Sequence, residues 1–163
     1  MRIFRIGLVV ALVLGIAGCS TKFKTYRGPE VTQVYVQKSA RRIYLLHGSQ
    51  VLKAYDVDLG TAPAGPKQFE GDGKTPEGGY VIDRRNPNST YHLSLGISYP
   101  NDTDRAFATA AGQPPGGDIF IHGRNGKSGG RADWTVGCIA VKDREIEDIY
   151  AMVRDGTPIW IAP

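Results

Sequence analysis

The chain has 163 residues and a formal net charge of +4, with 21 glycines, 10 prolines, 3 histidines and 2 cysteines. That length suits one domain with a real core, and the glycine and proline content favours a turn-rich β architecture over a helical bundle. The charge excess is too small and too evenly spread for a nucleic-acid partner.

The opening stretch, MRIFRIGLVVALVLGIAGCS, sets Arg2 and Arg5 ahead of an apolar run from Ile6 to about Ala17. This charged-then-apolar layout reads as a secretory signal and is short for a spanning helix. It closes on Ile16-Ala17-Gly18-Cys19, which resembles the bacterial lipoprotein box. The resemblance implies a signal peptide over 1–18 and lipidation of Cys19 as the new N-terminus. Acyl chains would then anchor the chain at the periplasmic face of a bacterial membrane. Ser20 stands where Asp usually marks inner-membrane retention in Gram-negative lipoproteins, which leans towards the outer membrane. A plain signal peptide with an incidental cysteine is the alternative. Loss of Arg2 and Arg5 lowers the net charge from +4 to +2. Residues 19–31, polar and without periodicity, read as a lipidated tether, and residues 32–163 as the domain.

Within the domain, Val34 to Gln37 is a leading strand and Arg41 to Leu59 a hairpin around HGSQ. Further strands are expected near Tyr80 to Asp83, over Tyr91 to Ile97, over Asp118 to Ile121 and from Gly137 to Val141. Asn101 and Asp102 cap a short helix that ends at Gly112. The clearest helix begins with Asp143 as its cap and carries Ile146, Ile149, Tyr150 and Val153 on one face, with Gly156 placed to end it. TPIWIAP is a terminal strand. The expected fold is mainly β (α+β): a mixed, largely antiparallel sandwich or barrel-like sheet with two short helices.

Cysteine arithmetic raises the functional question. With Cys19 bound to lipid, Cys138 has no disulfide partner in the chain. It is then a reactive thiol, an intermolecular bridge, or an inert buried residue. A nucleophilic thiol needs a base or a field that lowers its pKa. His47 in a hairpin turn and His92 in an alternating strand read as ordinary strand and surface residues. His122 ends a strand beside Gly123, at the lip of a glycine loop leading back to Cys138, where rigid scaffolds present functional groups. Gly137 frees the backbone at the thiol, and N–H groups of such a turn can face a developing oxyanion.

These residues carry a resemblance. IHG, a loop and DWTVGCIAV are similar to the signature of the L,D-transpeptidase (YkuD-type) catalytic domain: His-Gly, a variable loop, Ser/Thr-His-Gly-Cys, an aliphatic residue, then Arg or Asn. GDGKTPEGGY at 71–80 and HLSLGISYPND at 92–102 look like the murein-remodelling subgroup, so the likeness runs from Gln33 to Ile161. Val136 stands where much of the family has histidine, Ala140 where it has Arg or Asn, and the Gly123–Thr135 loop is short. These departures bear on the acceptor more than on the nucleophile.

The resemblance implies a cysteine-nucleophile L,D-transpeptidase of cell-wall cross-linking, remodelling and cell shape. Cys138, activated by His122, would attack the L-centre carbonyl of a peptidoglycan tetrapeptide stem (typically that of meso-diaminopimelate), expel D-alanine and pass the thioester to an amine. Gly137 and Thr135 would shape the oxyanion turn. Gly123, Arg124, Arg131, Trp134 and Tyr99 are candidate substrate-binding residues, with Ser94 also at the pocket. No cofactor and no metal are expected, since the His and Cys residues are too sparse for a zinc site. Expected partners are stem peptides, a peptidoglycan-linked lipoprotein and the membrane, for a monomer. Water as acceptor would make the chain an L,D-carboxypeptidase or amidase. A non-catalytic peptidoglycan-binding envelope protein is the rival of another class. A depressed Cys138 pKa is expected for the enzyme. GDGKTPEGG lacks P-loop spacing, so an NTPase is excluded, and the segment is expected to shape the cleft wall.

Overall fold

The computed structural model describes residues 21–128 and 130–163; the expected signal peptide over 1–18 and Cys19 lie outside the described residues. Alternating runs make the first strands. In β1 (Gln33–Gln37) Val34 and Val36 point inward, and in β2 (Arg42–His47) Ile43 and Leu45 do. The period of two gives each strand one dry face and one wet face. β3 (Gln50–Asp56) continues the hairpin as an edge strand.

The remaining strands are β4 (Gly78–Asn86), β5 (Ser94–Ile97), β6 (Phe120–His122), β7 (Ile139–Ala140) and β8 (Pro158–Ala162), and the helices are α1 (Asp102–Ala110) and α2 (Asp143–Met152). They form one eight-stranded curled sheet in the order β3-β2-β1-β8-β4-β5-β6-β7. Most pairs are antiparallel; β1–β8 and β6–β7 are parallel. The expected mixed, mainly β fold with two helices is what the chain adopts. Strand β4 joins the two halves. Gly78 to Val81 pair with β8, then the register shifts after Ile82 and the strand continues against β5. At Gly96 the Arg84 side chain lies where a Cβ would be, 2.4 Å from Cγ, so a larger residue would displace it.

Strand β5 is buried on both faces, with α2 packed against it and β6. Ile146, Ile149 and Met152 of α2 enter the core with Leu93, Leu95 and Ile121. Each such aliphatic side chain contributes about 1.5–3 kcal/mol by leaving water. α1 is a surface helix that buries only Ala108. Asn101 caps it as expected: its Oδ1 accepts from the Asp104 N–H at 3.0 Å and Asp104 returns the bond at 2.9 Å.

Four local expectations are corrected. Asp143 is the first residue of α2, not its cap. Its Oδ1 instead accepts the N–H groups of Arg124 (2.7 Å) and Asn125 (2.9 Å), which ties down the chain just after His122. The helix stops at Met152, short of Gly156, where Val153 turns to extended backbone (φ −91°, ψ 134°), and the Arg85 guanidinium satisfies the carbonyls of Val153 (2.6 Å) and Tyr150. The strand expected over Tyr91 to Ile97 starts only at Ser94, since His92 has φ +78° and cannot continue a ladder. Asp118 likewise has φ +54°, so β6 begins at Phe120 and runs on through His122.

Candidate active site

Cys138 and His122, 16 positions apart in sequence, line the same cavity of about 470 Å³, whose wall also includes Asn88 to Tyr91, Ser94, Asp118, Phe120, Trp134, Thr135 and Val136. The sheet explains the meeting. β6 ends on His122, and β7 begins one residue after Cys138 as its parallel neighbour. On the other side His122 faces Ser94 of β5.

His122 is 3% exposed. Its ring stacks on Tyr91 at 4.4 Å between centroids and meets Trp134 edge-on at 5.8 Å. Its Nδ1 lies 2.6 Å from the Gly123 carbonyl. A carbonyl can only accept, so Nδ1 carries the proton and Nε2 holds the free lone pair. The orienting group is therefore backbone. Gly123 has no space for a side chain: a Cβ would sit 2.6 Å from Asp143 Oδ1 and 2.8 Å from the Tyr91 carbonyl.

The Cys138 thiol donates to the Asp118 carbonyl at 3.5 Å and receives the Phe120 N–H. Burial pushes it above the ordinary cysteine value of 9.0, which outweighs the Phe120 N–H and the more distant Lys67 and Arg84; the nearby Asp118 adds to the rise. Burial likewise pushes His122 below its ordinary 6.5, opposed by the Gly123 carbonyl. The expected depressed cysteine is thus corrected: desolvation penalises both ions, and the resting pair is thiol and neutral imidazole.

Gly137 sits at φ +135°, and a Cβ would lie 2.7 Å from the Lys74 carbonyl and 3.1 Å from Ile119 Cδ1. Its N–H donates to the Thr135 hydroxyl at 3.2 Å, and that hydroxyl donates to the Cys138 carbonyl at 2.7 Å. Thr135 therefore locks the turn, and the Gly137 N–H is already engaged. The Cys138 N–H has no intramolecular partner among the described residues. The segment around GDGKTPEGG supports this turn from behind through Lys74 and Thr75, and does not line the cavity. Lys38, fully buried, organises that segment by donating to the Gly65 and Thr75 carbonyls and to Glu77.

Of the secondary candidates, Trp134 and Ser94 line the cavity. Arg124 does not; it pairs with Asp58 at 2.8 Å. Asp58 also accepts the Trp134 indole N–H at 3.0 Å. Arg131 is exposed on the loop, away from the wall. Tyr99 is 4% exposed, donates to the Pro115 carbonyl and packs edge-on against Tyr80, so it belongs to the core. The sequence reading missed Tyr91, Asp58, which accepts the Trp134 indole N–H, and Asp133, the residue before Trp134. Asp133 is held by Arg41 (2.7 Å) and accepts the Leu59 N–H. Its φ of +46° is the kind of turn position that a short polar residue before an aromatic can signal.

A model of the YkuD family, the L,D-transpeptidase catalytic domain, matches residues 32–161. The chain belongs to this family. YafK of Escherichia coli (strain K12) is 28% identical over 91% of this chain and 63% of its own length. The helical cell shape determining protein Pgp2 of Campylobacter jejuni superposes with a TM-score of 0.63 at 28% identity, over 83% of this chain and 49% of that one. An L,D-transpeptidase from Mycobacterium smegmatis, at 16% identity and a TM-score of 0.56, covers 82% of this chain and 59% of its own and shares the fold. The chain thus spans about half to two thirds of the length of these three proteins.

Proposed function

We propose that the chain is an L,D-transpeptidase working through a thioester on Cys138. The observation that supports this most is the shared cavity of Cys138 and a His122 whose Nδ1 is committed to Gly123, which leaves Nε2 as a base. Nε2 takes the thiol proton as sulfur bonds to the stem carbonyl carbon. The Cys138 N–H is the donor we assign to the oxyanion. Collapse breaks the C–N bond to D-alanine, whose nitrogen takes the proton from His122. An acceptor amine then gives a proton to Nε2, attacks the thioester carbonyl and releases the thiolate, which recovers that proton. Water in place of the amine gives a shortened stem.

The test mixes the full chain in detergent with tetrapeptide muropeptides and a D-amino acid, and follows products by mass spectrometry. Exchanged or cross-linked stems, absent with Cys138→Ala, are expected. Shortened stems alone would make the chain a carboxypeptidase, and untouched stems would leave it a binding protein.

We also propose that Cys19 carries lipid and holds the domain at the periplasmic face of the outer membrane. Labelled palmitate should enter the wild type and not Cys19→Ser, and the label should sediment with outer-membrane vesicles. An unlabelled wild type would end that reading.

A further inference from the structure

We propose that Lys22, on the segment ahead of the domain, is a positioning residue for the cavity wall; this rests on the acyl-transfer reading above. The β4–β5 loop supplies Asn88, Ser89, Thr90 and Tyr91 to the cavity. Its own hydrogen bonds are short-range: Asn88 N–H to Asn86, Tyr91 N–H to the Ser89 hydroxyl, and Leu93 N–H to the Tyr91 carbonyl. The Asn86–Ser94 pair closes the loop at its base and the Asn125 side-chain amide donates to the Thr90 carbonyl at 3.0 Å, which leaves the Pro87 and His92 carbonyls as the places where a further hold across the loop can be made.

Lys22 provides that hold. Its Nζ donates to the Pro87 carbonyl at 2.6 Å and to the His92 carbonyl at 3.1 Å, one near each end of the loop. A charged donor makes stronger bonds than a neutral one, and here one group spans both ends. The segment is itself fastened. Phe23 packs on Tyr150 of α2 at 6.4 Å, and Lys24 bonds Asp148 (2.7 Å) and the Arg144 carbonyl (3.1 Å). Glu147 of the same helix receives both Lys24 (3.3 Å) and the His92 ring (2.9 Å). The segment, α2 and the loop form one network. Its output is Tyr91, the residue stacked on His122. Residues 21–24, expected as a tether, are docked against the domain.

The kinetic consequence has a definite form. When the wall is formed for only a fraction of the time, apparent substrate affinity falls by that fraction, while saturating substrate restores the formed state. Removing Lys22 therefore raises KM and spares kcat.

The test uses the full chain in detergent with Lys22→Met and Lys22→Arg. Hydrogen–deuterium exchange should quicken about tenfold at Asn88, Tyr91 and Leu93 in Lys22→Met, with α2 unchanged, and Lys22→Arg should stay near wild type. Stem exchange should show KM up on the order of fivefold in Lys22→Met, with kcat within about twofold. Unchanged loop exchange in Lys22→Met, or a fall in kcat at constant KM, would overturn the proposal. A wild type that turns over no stem sinks the acyl-transfer reading alone, because loop exchange still decides the role of Lys22.

Discussion

His122→Gln is expected to lower kcat/KM for stem exchange by about 10³-fold, or roughly 4 kcal/mol of transition-state stabilisation. Glutamine is polar and of similar length, with its amide near the place of Nε2, but it has no basic nitrogen to take the thiol proton. The wild-type pH profile should carry the mark of burial. Neutral imidazole is the active form, and His122 titrates below 6.5, so activity should persist as the pH falls to that value and decline only beneath it. In His122→Gln the nucleophile must form by spontaneous ionisation. Iodoacetamide alkylation of Cys138 should then climb about tenfold per pH unit, with no plateau until above pH 9. A variant that keeps wild-type turnover would remove His122 from the chemistry.

The same shifts fix the sign of the stability profile. His122 prefers to be neutral in the fold, so its contribution is complete above pH 6.5 and is lost as the pH falls towards its lower folded value. Cys138 prefers its thiol form, so its contribution is complete below pH 9 and is lost as the pH rises towards its higher folded value. Thermal melts should be flattest between these limits, and Cys138→Ala should reduce the alkaline fall that begins above pH 9, the buried Tyr55, Tyr80 and Tyr99, raised above 10.0, supplying the fall beyond it.

Gly137→Ala carries the second large effect. A Cβ would collide with the Lys74 carbonyl, and alanine at φ +135° is strained before any contact is counted. Backbone is the obstacle, so no side chain can swing aside. A loss of about 3 kcal/mol and a Tm lower by about 10 °C are expected, read by calorimetry. Stem exchange should fall with it, because the Thr135 lock and the Cys138 N–H move together. A Tm within about 2 °C of wild type, the shift that roughly 1 kcal/mol produces, would show that the turn can relax.

The strands with clean alternation were legible, since Val34, Val36, Ile43 and Leu45 declare their inner face by spacing alone. The Asn101 cap was legible for the same local reason. Cys138 and His122 stood out by scarcity and by the motif around them. What local pattern could not show was where side chains go when a distant partner outbids the near one. Asp143 looks like a helix cap until Arg124 and Asn125 arrive from 18 or more positions away to claim it. Asp58 is an unremarked acid in a strand-like run until Trp134 and Arg124 converge on it. Tyr99 was placed by its nearness to a motif, yet its ring turns to Tyr80. His92 and Asp118 end strands early through backbone angles that their neighbours do not announce.

The parallel pairing of Val34 to Gln37 with Ile159 to Ala162 has a consequence for synthesis. Strand β8 lies between β1 and β4, so the middle of the sheet joins residues 125 positions apart at β1–β8 and 77 to 83 apart at β4–β8. Until Ala162 has left the ribosome, β1 and β4 each present an open row of unpaired backbone groups, the kind of edge that recruits other chains. The nascent chain thus carries two sticky borders until β8 has been made, and a single five-residue strand closes both at once.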